Sequence, residues 1–143
     1  MMVSTKGRYA LRVMLDLAAN GKDTCVSLRD IANRQEISLK YLEAVIAILN
    51  RAGLVTSRMG KNGGYQLARP PKDYTIWEIL KATEGALAPV SCLECDKNTC
   101  GRAKDCLTLP MWQELDHLIS GYLRNITLDE LSQGKINFSE EEA

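Results

Sequence analysis

Four cysteines fall within 15 residues, as Cys92-x2-Cys95-x4-Cys100-x5-Cys106. Thiolates are soft donors, and four of them suffice for one tetrahedral zinc or one iron–sulfur cluster. Structural zinc commonly uses two short Cys-x-x-Cys knuckles, and only Cys92–Cys95 has that spacing. The longer, unequal gaps suit a multi-iron cluster better, because its ligands need not converge on one atom. Spacing alone therefore favours iron–sulfur but leaves zinc and a thiol switch open. A thioredoxin-like Cys-x-x-Cys needs a βαβ context that this region lacks. Lys97, Arg102 and Lys104 are placed to offset thiolate charge or to keep the loop soluble. Cys25, before Val26, reads as a small buried packing residue. His117 lies off the neighbouring apolar stripe and reads as a surface residue. No acid–base pair or nucleophile constellation appears, so an enzyme is not expected.

The second chemistry is electrostatic. The chain has 143 residues, with 18 Lys/Arg against 18 Asp/Glu, a formal net charge of zero. The total conceals a split. Residues 1–72 carry 12 basic and 5 acidic residues, a net of +7, and residues 73–143 carry 6 and 13, a net of −7. Such asymmetry points to one half facing a polyanion. The composition, 45% hydrophobic and 25% charged, excludes wholesale disorder. The longest apolar run, Val45 to Leu49, is far short of the roughly 20 residues of a membrane helix. MMVSTKGRYA shows no signal-peptide pattern. The expectation is a cytoplasmic protein, where disulfides are disfavoured and clustered cysteines bind metal or do redox work.

The elements that must position these residues follow from periodicity and caps. Residues 5–19 read as a well-buried helix closed by Asn20-Gly21. Ser27-Leu28-Arg29-Asp30 opens a short helix to about Gln35, and Ser38 caps the next, about 39–51. There Leu39, Leu42, Val45, Ile46 and Leu49 are expected to face the core, leaving Lys40, Tyr41, Glu43, Ala44, Ala47 and Arg51 outward. Two short strands, Leu54–Arg58 and Tyr65–Arg69, flank the tip Met59-Gly60-Lys61-Asn62-Gly63-Gly64. Thr75 opens a helix of about 75–83. Residues 85–109 form the cysteine-bearing loop, and Pro110 begins a long helix, 110–124. A short helix capped at Thr127 follows.

This order is that of a winged helix-turn-helix, a mainly α fold with a small β-hairpin wing. The expected division is a DNA-binding domain at 1–72, with the helix-turn-helix at about 28–51 and the wing at about 54–69. The cysteine loop and dimerisation helix follow at 73–135, then an acidic tail at 136–143. A helix fits the DNA major groove, and a Gly/Lys-rich tip can approach the phosphate backbone or minor groove closely. The candidate DNA contacts are Lys6 and Arg8; Ser38, Lys40, Tyr41, Glu43 and Ala44; and Gly60, Lys61, Asn62, Gly63 and Gly64. Glu43 can accept a hydrogen bond from cytosine N4 or repel wrong sites. The stripe Trp112, Leu115, Leu118, Ile119, Tyr122 and Leu123 is expected to meet a twin helix. The resulting symmetric dimer would read a palindromic double-stranded site.

Five blocks together resemble one family: Ser4-Thr5-Lys6-Gly7-Arg8-Tyr9-Ala10, Ile37-Ser38-Leu39-Lys40-Tyr41-Leu42-Glu43, Asn62-Gly63-Gly64-Tyr65, Cys106-Leu107-Thr108 before Trp112, and Asn125-Ile126-Thr127-Leu128. Over about residues 2–135 the chain is similar to the IscR/NsrR/CymR family of winged-helix regulators, and most to its IscR branch. The resemblance implies a homodimeric transcription regulator, mostly a repressor, that senses iron–sulfur status and controls cluster-assembly genes. It implies cluster ligation by Cys92, Cys100 and Cys106. The branch's fourth ligand, a histidine, is replaced here by Leu109, and Cys95 is the natural substitute. The expected cluster is [2Fe–2S] in preference to [4Fe–4S], with potential and type shifted by all-cysteine ligation. Arg8, where the nitric-oxide branch can place an aspartate ligand, counts against that branch. The cysteine triad counts against the cysteine-metabolism branch. Met59 stands where IscR-like wings often carry Arg.

Overall fold

A computed structural model describes residues 3–95 and 100–138. Lys97 and the acidic tail from Ser139 onward, both singled out above, lie outside the described residues. Helices α1 (Thr5–Asn20), α2 (Leu28–Gln35) and α3 (Leu39–Arg51) precede an antiparallel hairpin, β1 (Val55–Arg58) and β2 (Gly64–Leu67). Then come a 3-10 turn (Pro71–Asp73), α4 (Ile76–Glu84), a second 3-10 turn (Ser91–Leu93), α5 (Leu109–Arg124) and α6 (Leu128–Ser132).

The helices start where side-chain caps satisfy their first amides. Ser4, Ser27, Ser38, Thr75 and Thr127 accept hydrogen bonds from the backbone N–H groups of Gly7, Asp30, Tyr41, Glu78 and Glu130 respectively. Helix α5 differs. It opens with Pro110 in its first turn, and the Thr108 side chain makes no cap bond. Glu36 takes a left-handed conformation (φ 54°) that closes α2 and makes the turn into α3. Helix α1 is buried on more than one face, through Ala10, Val13, Met14, Leu17 and Ala18. The same core takes in Ile31, Leu42, Val45 and Leu49, and runs on past residue 72 to Tyr74, Ile79, Leu80, Leu87 and Leu128.

The hairpin register pairs Val55 with Leu67 and Arg58 with Gly64, leaving Met59–Gly63 as the tip. A backbone bridge adds Val26 to the edge of β2, with reciprocal N–H···O bonds of 2.8 Å to Tyr65. Gly64 sits at that crossing with φ 148°, where a Cβ would run into the Val26 carbonyl. Glycine is therefore required there for backbone approach. The second strand starts one residue earlier and ends two earlier than its sequence pattern suggests. The Arg69 N–H leaves the ladder and donates instead to the Tyr74 hydroxyl (3.0 Å).

Three side-chain expectations are corrected. Leu39 is 40% exposed rather than facing the core, because the first turn of α3 projects beyond the core's edge. Tyr41 turns inward in its place, edge-on to Tyr9 with centroids 5.3 Å apart. Cys25 is only half-buried, its thiol 3.8 Å from the Gln66 amide oxygen beside the wing.

Candidate nucleic-acid interface and cysteine site

The helix-turn-helix is anchored by a buried charge. Asp16 on α1 has a side chain 1% exposed and takes a forked pair of bonds from Arg34 of α2, Nη2 to Oδ1 (2.8 Å) and Nε to Oδ2 (3.0 Å). Gln35 Nε2 donates to Oδ2 at 3.0 Å, and Asn20 Nδ2 to Oδ1 at 3.4 Å. Burial alone would raise the Asp16 pKa. The hydrogen bonds from Arg34, Gln35 and Asn20, with the Arg34 charge, outweigh it and hold the carboxyl below its ordinary range. Arg12 reinforces the joint by donating to the Gln35 side-chain and backbone oxygens. Residue type alone does not mark Asp16. Its signal was a carboxylate three residues after Val13, inside the apolar stripe of α1.

With α2 fixed, α3 presents Ser38, Lys40, Glu43 and Ala44 to solvent, and Tyr41 lies half-buried behind them. Lys6 and Arg8 are exposed on the first turn of α1. At the wing Gly60, Lys61 and Asn62 are exposed, and Gly63 and Gly64 are half-buried. Both legs of the wing are tied to Tyr74, which is fully buried and donates its hydroxyl to the Leu54 carbonyl at 2.6 Å while accepting from Arg69 N–H. The Arg69 guanidinium stacks on the Tyr74 ring (4.3 Å) and pairs with Glu78 of α4.

The cysteine loop joins α4 to α5. Cys92 and Cys106 are half-buried, and Cys95 and Cys100 exposed. Among the described residues the thiols are not drawn together into a metal-binding group. Their chemistry nevertheless fits a thiophilic metal. The Thr108 hydroxyl, unused as a cap, lies 3.4 Å from Cys106 Sγ. That contact is the main influence lowering the Cys106 pKa. Slight burial opposes it, and the amides of Thr108 and Leu109 and the Arg102 charge add to it. Cys95 opens onto a cleft lined also by Trp77, Lys81, Asp116 and Arg124, and the guanidinium of Arg124 stacks on the Trp77 ring (4.6 Å). His117 is exposed.

Helix α5 has no buried residue. At 100° per residue, Met111, Leu115, Leu118 and Tyr122 fall on one narrow seam, spaced four, three and four apart. All four are exposed, Leu118 and Tyr122 to 60%. Trp112, Ile119 and Leu123 lie about a quarter-turn away and are half-buried, with Leu123 packed on the chain's own core. Met111, one residue before the Trp112–Leu123 stripe, extends the exposed seam toward the start of the helix.

A helix-turn-helix followed by a glycine-tipped hairpin defines the class: a winged-helix DNA-binding transcription regulator. Residues 3–134 match the Rrf2 family, described as iron-dependent transcriptional regulators, and the chain belongs to that family. It is 41% identical over 131 residues to protein rrf2 of Nitratidesulfovibrio vulgaris, covering 92% of this chain and 87% of that one. It is also 41% identical over 131 residues to the HTH-type transcriptional regulator IscR of Photobacterium profundum, covering 92% and 75%. The structure of CymR, the global cysteine regulator of B. subtilis, superposes with a TM-score of 0.76 at 34% identity, covering 94% of this chain and 98% of that one. The chain is thus IscR-like, and not an enzyme. Among the described residues no helix is long and apolar enough to cross a membrane.

Proposed function

We propose that this regulator is a cytoplasmic homodimer that senses iron–sulfur status through its cysteine loop and, mostly as a repressor, controls cluster-assembly genes from a palindromic operator. The observation that carries the reading is the donor set on the α4–α5 loop. Cys92, Cys100 and Cys106 match the family triad, Cys95 supplies a fourth thiol where Leu109 replaces histidine, and Cys106 is shifted toward thiolate by Thr108. When bound there, a [2Fe–2S] cluster would supply a link between loop segments that forms and breaks with iron supply and oxidation. Thiolate ligation requires proton loss, so Thr108, the local amides and Arg102 favour ligation at Cys106.

The dimer reading is supported by the exposed seam Met111–Leu115–Leu118–Tyr122. A 3–4 spacing of apolar residues is the pattern by which paired helices bury each other. Two copies would present two α3 helices to one face of a duplex, about one helical turn apart. Lys6, Arg8, Lys40 and Lys61 contact phosphates, Glu43 selects among site classes, and the Gly60–Gly64 tip approaches the phosphate backbone or the minor groove. Loop occupancy acts on DNA affinity only through a difference between the two states.

The test is the absorption spectrum and the iron, sulfide and zinc content of anaerobically purified protein. Wild type should be coloured and carry iron with sulfide. Cys92→Ala, Cys100→Ala and Cys106→Ala should each lose the visible spectrum while remaining folded dimers. Full iron retention in all three refutes the ligand assignment. A colourless zinc protein establishes the structural-zinc alternative.

A further inference from the structure

Helix α4 ends at Glu84, one residue before Gly85 (φ 77°) and the chain that leads to Cys92. The Glu84 carboxylate is half-buried and paired across the chain. Its Oε1 accepts from the Ser4 hydroxyl at 2.5 Å and from the Ser4 backbone N–H at 3.1 Å. Ser4 is also the cap of α1, accepting from Gly7 N–H at 3.3 Å. One hydroxyl therefore bridges the carboxylate of one helix and the first turn of another. Gly7 completes the arrangement. A Cβ at that position would collide with Glu84 Oε1. Glycine inside a helix weakens it by roughly 0.5–1 kcal/mol relative to alanine, so its presence here needs a local reason, and room for the carboxylate is one. The turn so held carries Lys6 and Arg8, both exposed.

We propose that Glu84 is a positioning residue for DNA binding: it latches the N-terminal turn of α1, with Lys6 and Arg8, to the end of the helix that feeds the cysteine loop. The latch keeps these two cations at a fixed distance from α3 and the wing, so they meet phosphates without first being ordered. Because Gly85 is the next residue, movement of the loop bears directly on the latch. This second role rests on the proposed function of the loop; the first rests only on the phosphate contacts proposed for Lys6 and Arg8.

The experiment measures binding to a duplex that the wild-type protein enriches from a random pool, across a salt series, with metal-free and cluster-loaded protein. Glu84→Ala removes the acceptor. Gly7→Ala displaces it while improving helix propensity, so loss of helix cannot account for its effect. Each should weaken metal-free binding roughly three- to tenfold and reduce the salt slope by about one to two, as expected when one or two phosphate contacts are lost. Glu84→Gln keeps an accepting oxygen and should recover most of the affinity. Wild-type affinity and slope in both Glu84→Ala and Gly7→Ala overturn the proposal. Weaker binding with an unchanged slope and a matching fall in Tm also overturns it, because that is the result of a merely structural cap. In the loaded protein, the ratio of affinities between the two forms should move toward one in Glu84→Ala. A wild-type ratio already equal to one refutes the sensor reading, and the metal-free arm still decides the latch.

Discussion

Replacing Asp16 with alanine tests how the helix-turn-helix is held. The carboxylate receives four hydrogen bonds, three of them from the end of α2 at 2.8–3.0 Å. Hydrogen bonds to charged groups contribute about 1.5–3 kcal/mol each when well buried. Asp16 is buried, but the Arg34 side chain is 40% exposed and can rehydrate once its partner is gone. The loss is therefore well below the sum of four such bonds, about 2–4 kcal/mol. Against a typical domain stability of about 5–15 kcal/mol, the variant should still fold. With a urea m-value of about 2 kcal/mol/M, the midpoint should fall by about 1–2 M. The sign of the pH dependence follows from the lowered carboxyl pKa. The folded value lies below the ordinary 3.8, so the Asp16 contribution is fully present above about pH 4–5 and is lost as pH falls through the folded value. Urea titrations of wild type and variant at fixed protein concentration, from pH 8 downward, should give a constant gap that closes below about pH 4. A gap under about 0.5 kcal/mol at pH 7 would mean that the fork contributes nothing measurable. A gap that persists on acidification would mean that the carboxylate charge is not its source.

Other expectations follow from single contacts. Tyr74→Phe leaves the Leu54 carbonyl with only its longer bond from Ala68 N–H (3.3 Å) and the Arg69 N–H without its acceptor, and should cost about 1–3 kcal/mol in urea unfolding, with weakened DNA binding because the hydroxyl no longer ties the two wing legs; an unchanged midpoint would rule out this tie. Leu118→Glu places charge in the apolar seam of α5 and should give monomers by light scattering at micromolar concentration. Dimers of wild-type affinity would move the interface elsewhere. Thr108→Val removes the hydroxyl nearest Cys106, so the thiol pKa should rise and iodoacetamide labelling of that cysteine at neutral pH should slow. Equal labelling rates would show that Thr108 does not activate it.

Much of this was written locally. The caps Ser27, Ser38, Thr75 and Thr127 set helix starts because each satisfies an amide three residues along, a short-range interaction that spacing alone reveals. The glycine-tipped hairpin was legible for the same reason. Side-chain direction at helix ends was less so: Leu39 and Tyr41 exchanged inward and outward roles because a first turn overhangs the core. The α5 stripe was legible as apolar but not as divided, since a helix that meets its own core on one face and solvent on another shows no break in composition.

By itself, then, the sequence determined the order of elements, the charge division between halves and the thiol donor set, all properties of neighbours along the chain. Tertiary structure alone decided which distant groups meet. Asp16 joins Arg34, Tyr74 joins Leu54 and Arg69, and Glu84 joins Ser4 across 80 residues. Such partners are selected by packing geometry, and a buried carboxylate or hydroxyl is tolerated only where folding brings donors to it. No local pattern encodes that meeting, and the Tyr74 and Glu84 pairings join the basic half to the half that carries the cysteines.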